Sequence, residues 1–146
     1  MIADFDNMPM VFYYCNEKYF NNELPTPKFD LMHTTKYLGW FGYRKNKKKN
    51  KNKEPLEYKI IKMCDCYDFD EKDFIEIMVH EMIHYYIAWN QIKDNGDHGK
   101  MFMEKANEIK EKYGLDITKT KDASSFKKTE NAPKTNALWK RIFFNA

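Results

Sequence analysis

Apolar positions first recur at steps of three and four, from Met8 through Val11, Phe12, Cys15 and Tyr19, which is the spacing of one helix face. A helix is expected over Pro9 to Phe20, with Pro9 tolerated in the first turn and Asn21-Asn22, then Leu24-Pro25-Thr26-Pro27, ending it. Lys28 to Met32 suits a short strand. The period then changes. Tyr37 to Tyr43 is aromatic and β-prone, and Glu57 to Met63 answers it across a lysine- and asparagine-rich interval. The pair predicts an antiparallel hairpin with a long basic tip. Gly39 and Gly42 inside the first run point to a bulge or a close backbone approach.

From Glu71 to about Trp89 apolar residues occupy nearly every side: Phe74, Ile77, Met78, Val79, Met82, Ile83 and Tyr85 among them. Such a helix belongs in the centre of a domain. Asp70 suits its N-cap, with Asp73 at the third helical position. Asn95-Gly96-Asp97 marks a turn, after which Asp97 is expected to cap a third helix from His98 to Tyr113, with Phe102, Ala106, Ile109 and Tyr113 as its apolar stripe and Gly114 closing it. Gly99, beside His98, is expected to let the backbone approach the preceding helix. Beyond Ile117 the periodicity fades into a loose linker that ends in an apolar anchor, Leu138 to Phe144. The expected organisation is one compact α+β domain over residues 1–117, with a small, mainly antiparallel sheet, and a basic tail over 118–146.

Composition narrows the class. A chain of 146 residues suits one domain, and 42% hydrophobic with 16% aromatic residues is too much apolar material for a disordered chain. Met1 to Asp6 carries two acids and no basic leader, and no apolar run reaches the roughly 20 residues that span a bilayer, so a cytoplasmic protein with no membrane partner is expected. Cys15, Cys64 and Cys66 read as reduced thiols, because the number is odd and the last two are too close along a strand to bridge easily. Residues 44–53 hold seven basic residues and no acid, and residues 118–146 hold seven basic and two acidic, leaving the rest at −9 within a total of +3. An acidic body with two basic appendages suits a polyanionic partner.

One stretch carries the chemistry. His80-Glu81-Met82-Ile83-His84 sits in the most apolar helix, where the i, i+4 spacing puts both imidazoles on one face and lets them address a single cation. Glu81 lies one residue round the same side, placed to take a proton from a water that the cation activates. This is the pattern of a hydrolytic zinc site. Catalytic zinc commonly takes three protein ligands, so one more is required. His98 supplies it: three of the four histidines fall within nineteen residues. The competing reading is that His80 and His84 are merely satisfied core histidines. Two histidines and a glutamate are costly in so apolar a helix, however, and one bound zinc ion accounts for them. The fourth histidine, His33, reads as a polar strand or loop residue. Cys64-Asp65-Cys66 has no second cysteine pair to complete a soft-metal site.

The basic tip, Arg44, Lys45, Lys47, Lys48, Lys49, Lys51 and Lys53, adjoins Trp40, Phe41 and Tyr43. Lysines gripping phosphates while Trp40 stacks on bases would make a DNA contact. A solubilising hairpin tip has the same composition, and the acidic body counts against nucleic acid.

Four stretches together resemble the SprT-like metallopeptidase family, which includes the Spartan proteases: Asn16 to Pro25; Lys36 to Arg44 with Leu38-Gly39-Trp40-Phe41; His80 to His84; and Gly96 to Phe102. The resemblance covers roughly residues 10 to 117. It implies a zincin-like fold, zinc held by His80, His84 and His98, Glu81 as general base, and peptidase activity, directed in Spartan-type members at proteins crosslinked to DNA. These residues depart from many relatives in having no cysteine after Cys66, so neither a zinc ribbon nor Spartan's longer partner-binding tail is expected. The expected function is a zinc endopeptidase acting on protein or peptide, including protein on DNA. The alternatives are a zinc-stabilised nucleic-acid-binding module without turnover and a zinc hydrolase acting on something other than peptide. A closed structural zinc site has no use for a general base, which favours the enzyme.

Overall fold

The computed structural model describes residues 1–47 and 54–133. Lys48, Lys49, Lys51 and Lys53 of the basic tip, and the expected anchor at 138–144, lie outside the described residues. The order is α1 (Asn7–Phe20), β1 (Lys28–Met32), β2 (Gly39–Lys45), β3 (Leu56–Cys64), β4 (Tyr67–Asp68), α2 (Glu71–Trp89), α3 (Lys100–Tyr113) and β5 (Lys127–Lys128). α2 is the organising element, packed against β2, β3, α1 and α3.

The aromatic runs form the expected antiparallel pair: β2 lies along β3 with Gly39 opposite Met63 and Tyr43 opposite Lys59. β3 is central, and its other neighbour, β1, runs parallel to it, so the three-stranded sheet is mixed. β4 and β5 form a separate antiparallel pair. The β2/β3 register slips between Arg44 and Lys45, at the base of the basic tip rather than at a glycine. Both glycines instead serve close approaches. A Cβ at Gly42 would stand 2.2 Å from the Trp40 ring, and one at Gly39 would stand 2.8 Å from Glu81 Oε2 and 3.1 Å from Ile77 Cγ2. Gly39 therefore lets β2 lie directly on the Glu81 face of α2.

α1 begins two residues before Pro9. Asp4 Oδ1 accepts the N–H groups of Asp6 and Asn7 at 2.9 and 2.6 Å, giving the first turn an acceptor for donors that a helix start leaves unpaired. Its apolar stripe, Met8, Phe12, Cys15 and Tyr19, is buried as the spacing predicts. Asn16 is buried with it, and its side chain bonds the Leu24 carbonyl at 2.8 Å and N–H at 3.3 Å. The Pro25 carbonyl then accepts the Tyr85 hydroxyl at 2.7 Å, tying the turn after α1 to α2.

α2 starts where expected: Asp70 accepts the Asp73 N–H at 2.7 Å. The start of α3 differs from expectation. Gly99, not Asp97, is the N-cap residue, and it carries no capping side chain. The exposed N–H groups are met from further back: Asp94 Oδ1 and Oδ2 accept from Met101 and Phe102 at 3.0 Å each, and Asn95 Oδ1 accepts from Lys100 at 2.9 Å. Gly96, at φ +135°, makes the turn that brings residues 94 and 95 over the helix end. Gly99 makes room for those side chains rather than for α2, since a Cβ there would lie 2.1 Å from Asn95 Oδ1 and 2.3 Å from Asp94 Oδ1. Asp94→Ala should therefore lower the thermal midpoint by several degrees, and Asp97→Ala should leave it unchanged. Equal midpoints for the two variants in a thermal melt would contradict this capping scheme.

The loose linker expected after Ile117 is instead packed over residues 118–133. Ala123 is buried, Phe126 meets Phe69 and Tyr67 edge to face at 5.1 and 5.9 Å, and Thr129 Oγ1 donates to the Asp65 carbonyl at 2.7 Å. Single apolar residues among polar ones anchor this stretch, so no helical or strand period announces it.

The three cysteines are free and buried. Burial pushes the Cys15 thiol up to about 12 from 9.0. A raised native pKa makes the thiol's contribution to stability complete below pH 9 and lost as pH climbs towards 12, where the unfolded chain holds thiolate and the folded chain does not. At about 1.4 kcal/mol per pKa unit, this one group costs about 4 kcal/mol by the top of that range. Cys15→Ala should flatten the alkaline limb of a stability–pH curve. A limb as steep as that of the wild type would contradict the assignment.

Candidate metal centre

His80 and His84 sit one turn apart on α2, and His98 lies in the turn before α3, folded back over them. His98 Nε2 is 3.0 Å from His80 Nε2 and 3.3 Å from His84 Nε2, and the three nitrogens lie within 4.8 Å of one another. Nitrogens about 2.0–2.1 Å from one tetrahedral zinc stand about 3.3–3.4 Å apart, close to the two separations that His98 makes, and all three lie within reach of a single ion. Phe102, from the first turn of α3, backs all three imidazoles, with ring centroids 5.0, 4.8 and 4.9 Å from His80, His84 and His98.

The nitrogens are prepared for a cation. His80 Nδ1 is 2.8 Å from the Thr118 carbonyl. A carbonyl only accepts, so the proton of this imidazole is on Nδ1 and the Nε2 lone pair faces its neighbours. Desolvation, followed by the nearby His84 and His98, lowers His80 to about 3, and desolvation with His98 lowers His84 to about 4. His98 is also lowered, chiefly by desolvation. Imidazoles that stay neutral at physiological pH are the form that binds metal.

Glu81 lines a cleft with His80, Gly39, Leu38 and Thr118. It is 5% exposed, and burial alone pushes its carboxyl up to about 8. The Tyr85 hydroxyl, next along the helix, is taken by Pro25, and its ring stacks on Phe41 at 5.1 Å. Lys105 Nζ sits 4.5 Å from the Tyr86 ring centroid.

Reading the chain residue by residue misses a second charged group on the cleft wall. Glu76, one turn before His80, is 5% exposed. Its Oε2 accepts the Asp116 N–H at 2.9 Å and its Oε1 accepts Lys121 Nζ at 3.0 Å, while Lys121 also reaches Asp73 at 3.3 Å. A charge on a buried helix demands a partner, and Glu76 carries that demand as much as His80 and Glu81 do.

The other candidates stand apart. Trp40 is exposed on β2 with Lys62 Nζ 5.3 Å from its ring centroid, and Arg44 pairs with Glu57 and lies over Tyr58. Lys45 ends β2, and Lys47 is exposed beyond it. His33 Nδ1 lies 2.6 Å from Asp65 Oδ2, at the surface and outside the histidine cluster. No helix among the described residues is long and apolar enough to cross a membrane.

Fold and site together define an α+β domain with a zincin-like cluster of three histidines that can hold a metal ion. The SprT-like family model matches residues 9–121, and the chain belongs to the SprT-like family. No curated protein matches it.

Proposed function

We propose that the protein is a zinc-dependent endopeptidase with His80, His84 and His98 as metal ligands and Glu81 as general base. The observation that carries this reading is the convergence of three Nε2 atoms beside a cleft that Glu81 shares. Zinc, when bound, supplies a Lewis acid that polarises the scissile carbonyl and makes water acidic near pH 7. Glu81 takes the proton of the attacking water and delivers it to the departing amine. Burial alone pushes this carboxyl up to about 8, and a dication held by the histidines would lower it again, so its basicity would be coupled to their occupancy. Gly39 leaves room for the Glu81 carboxylate beside β2, where a larger residue would collide with it.

Protein bound to DNA is the proposed substrate class. The exposed Trp40, with Lys45 and Lys47 further along the same strand and its exit, supports it by offering a ring and cations on one element. The test is incubation of zinc-loaded protein with an unstructured protein and with a protein bound to single-stranded DNA, followed by fragment analysis. Fragments that increase with DNA and vanish with chelator support the reading. Zinc binding and DNA binding without any fragment would favour the non-catalytic module, and cleavage indifferent to DNA would remove the DNA-directed part.

A further inference from the structure

Residues 116–121 cross α2 as a strap, held at both ends by one carboxylate. Glu76 Oε2 accepts the backbone N–H of Asp116 at 2.9 Å, and Glu76 Oε1 accepts Lys121 Nζ at 3.0 Å. Between those points, the Thr118 carbonyl accepts from His80 Nδ1 at 2.8 Å. Glu76 and His80 are four residues apart on α2, on the same side of the helix, so the carboxylate and the imidazole meet successive parts of one strap. Leu115 and Ile117 anchor its start in the core, but alternating burial sets only which side of the strap faces inward. Its position along α2 is set where polar atoms meet, at Glu76.

We propose that Glu76 is a positioning residue: by fixing the strap it holds the Thr118 carbonyl on His80 Nδ1, and so holds the His80 Nε2 lone pair towards the other two histidines. Lys121 is its partner, closing the far end of the strap and neutralising a carboxylate that would otherwise be buried unpaired. Both Glu76 oxygens are taken by Asp116 and Lys121, not by the three histidine nitrogens. It acts through backbone, as an outer hydrogen-bond partner orients a ligand, and the loss of such partners costs about 10–100-fold in metal affinity. This inference rests on the zinc reading above for its effect on affinity, whereas the imidazole proton position is a property of the metal-free protein.

The experiment uses the full chain, with Glu76→Ala, Glu76→Gln and Lys121→Met. Zinc affinity is measured by competition with a chromophoric chelator, and the His80 proton position by long-range proton–nitrogen NMR of chelator-treated protein at neutral pH. In the wild type His80 should show a protonated Nδ1 and a bare Nε2. Glu76→Ala should mix the two tautomers and weaken zinc binding by about 10–100-fold. Glu76→Gln, which keeps an oxygen for the Asp116 N–H, should recover part of both. Lys121→Met leaves that bond in place and should lose less than Glu76→Ala. Should Glu76→Ala fail to fold, the Gln and Met variants carry the test. Folded variants with the wild-type nitrogen pattern and wild-type zinc affinity overturn the proposal. A wild type that binds no zinc overturns the metal reading instead, and the nitrogen pattern of the metal-free variants still decides the role of Glu76.

Discussion

Replacing His98 by alanine should strip the protein of zinc while leaving its fold in place. His98 sits in the turn before α3 and is half-buried, whereas His80 lies inside α2 at 8% exposure, so the imidazole of His98 can be removed with the least damage to the core. Its Nε2 is within 3.0 and 3.3 Å of the other two. Two histidines one turn apart can still meet a cation, but with one fewer inner ligand. The loss in affinity should exceed the roughly 10–100-fold typical of an outer partner. Asp97→Ala is the matched control, since Asp94 and Asn95, not Asp97, hold the start of α3. Zinc content after dialysis and a competition titration read the effect. A His98→Ala protein that retains one equivalent at wild-type affinity would remove His98 from the ligand set.

Glu81→Gln should do the opposite, keeping the metal and losing the chemistry. Glutamine has the same size and shape, so it fits against Gly39 where the carboxylate lies. It cannot take a proton from water. General base catalysis contributes about 10²–10⁴-fold, and hydrolysis should fall by that amount with zinc still at one equivalent. Zinc retained with hydrolysis unchanged would mean that Glu81 is only a wall of the cleft. Zinc lost together with activity would mean that it belongs to the metal's own surroundings.

The site was legible because its demands are local. The i, i+4 spacing of His80 and His84, the apolar helix around them and the need for a third ligand can all be read in one dimension, and His98 falls where the turn at Gly96 folds the chain back. Gly39 is legible too, as a glycine in a strand that approaches something closely; its neighbour in space, Glu81, emerges only when β2 is laid on α2. The cap of α3 is not legible along the chain, because Asp97 stands beside the helix start in sequence while the positive φ of Gly96 brings Asp94 there in space. The strap at 116–121 left little trace, since Leu115, Ile117 and Ala123 are too few to show a period and its polar residues resemble a linker. Its function resides in a backbone carbonyl, which no side-chain pattern reports. Glu76 is concealed in another way: its partners, the Asp116 N–H and Lys121, lie 40 and 45 residues away in sequence.

The central claim, that one metal ion at the three histidines drives peptide hydrolysis, is tested most directly by titrating zinc into chelator-treated protein and following cleavage of an unstructured protein at each addition. Hydrolysis should rise linearly with zinc and stop rising at one equivalent, with the Glu81→Gln protein binding the same equivalent and remaining inactive. Metal-free protein that cleaves as fast as the loaded form, or a loaded form that leaves every peptide and protein offered intact, would contradict it.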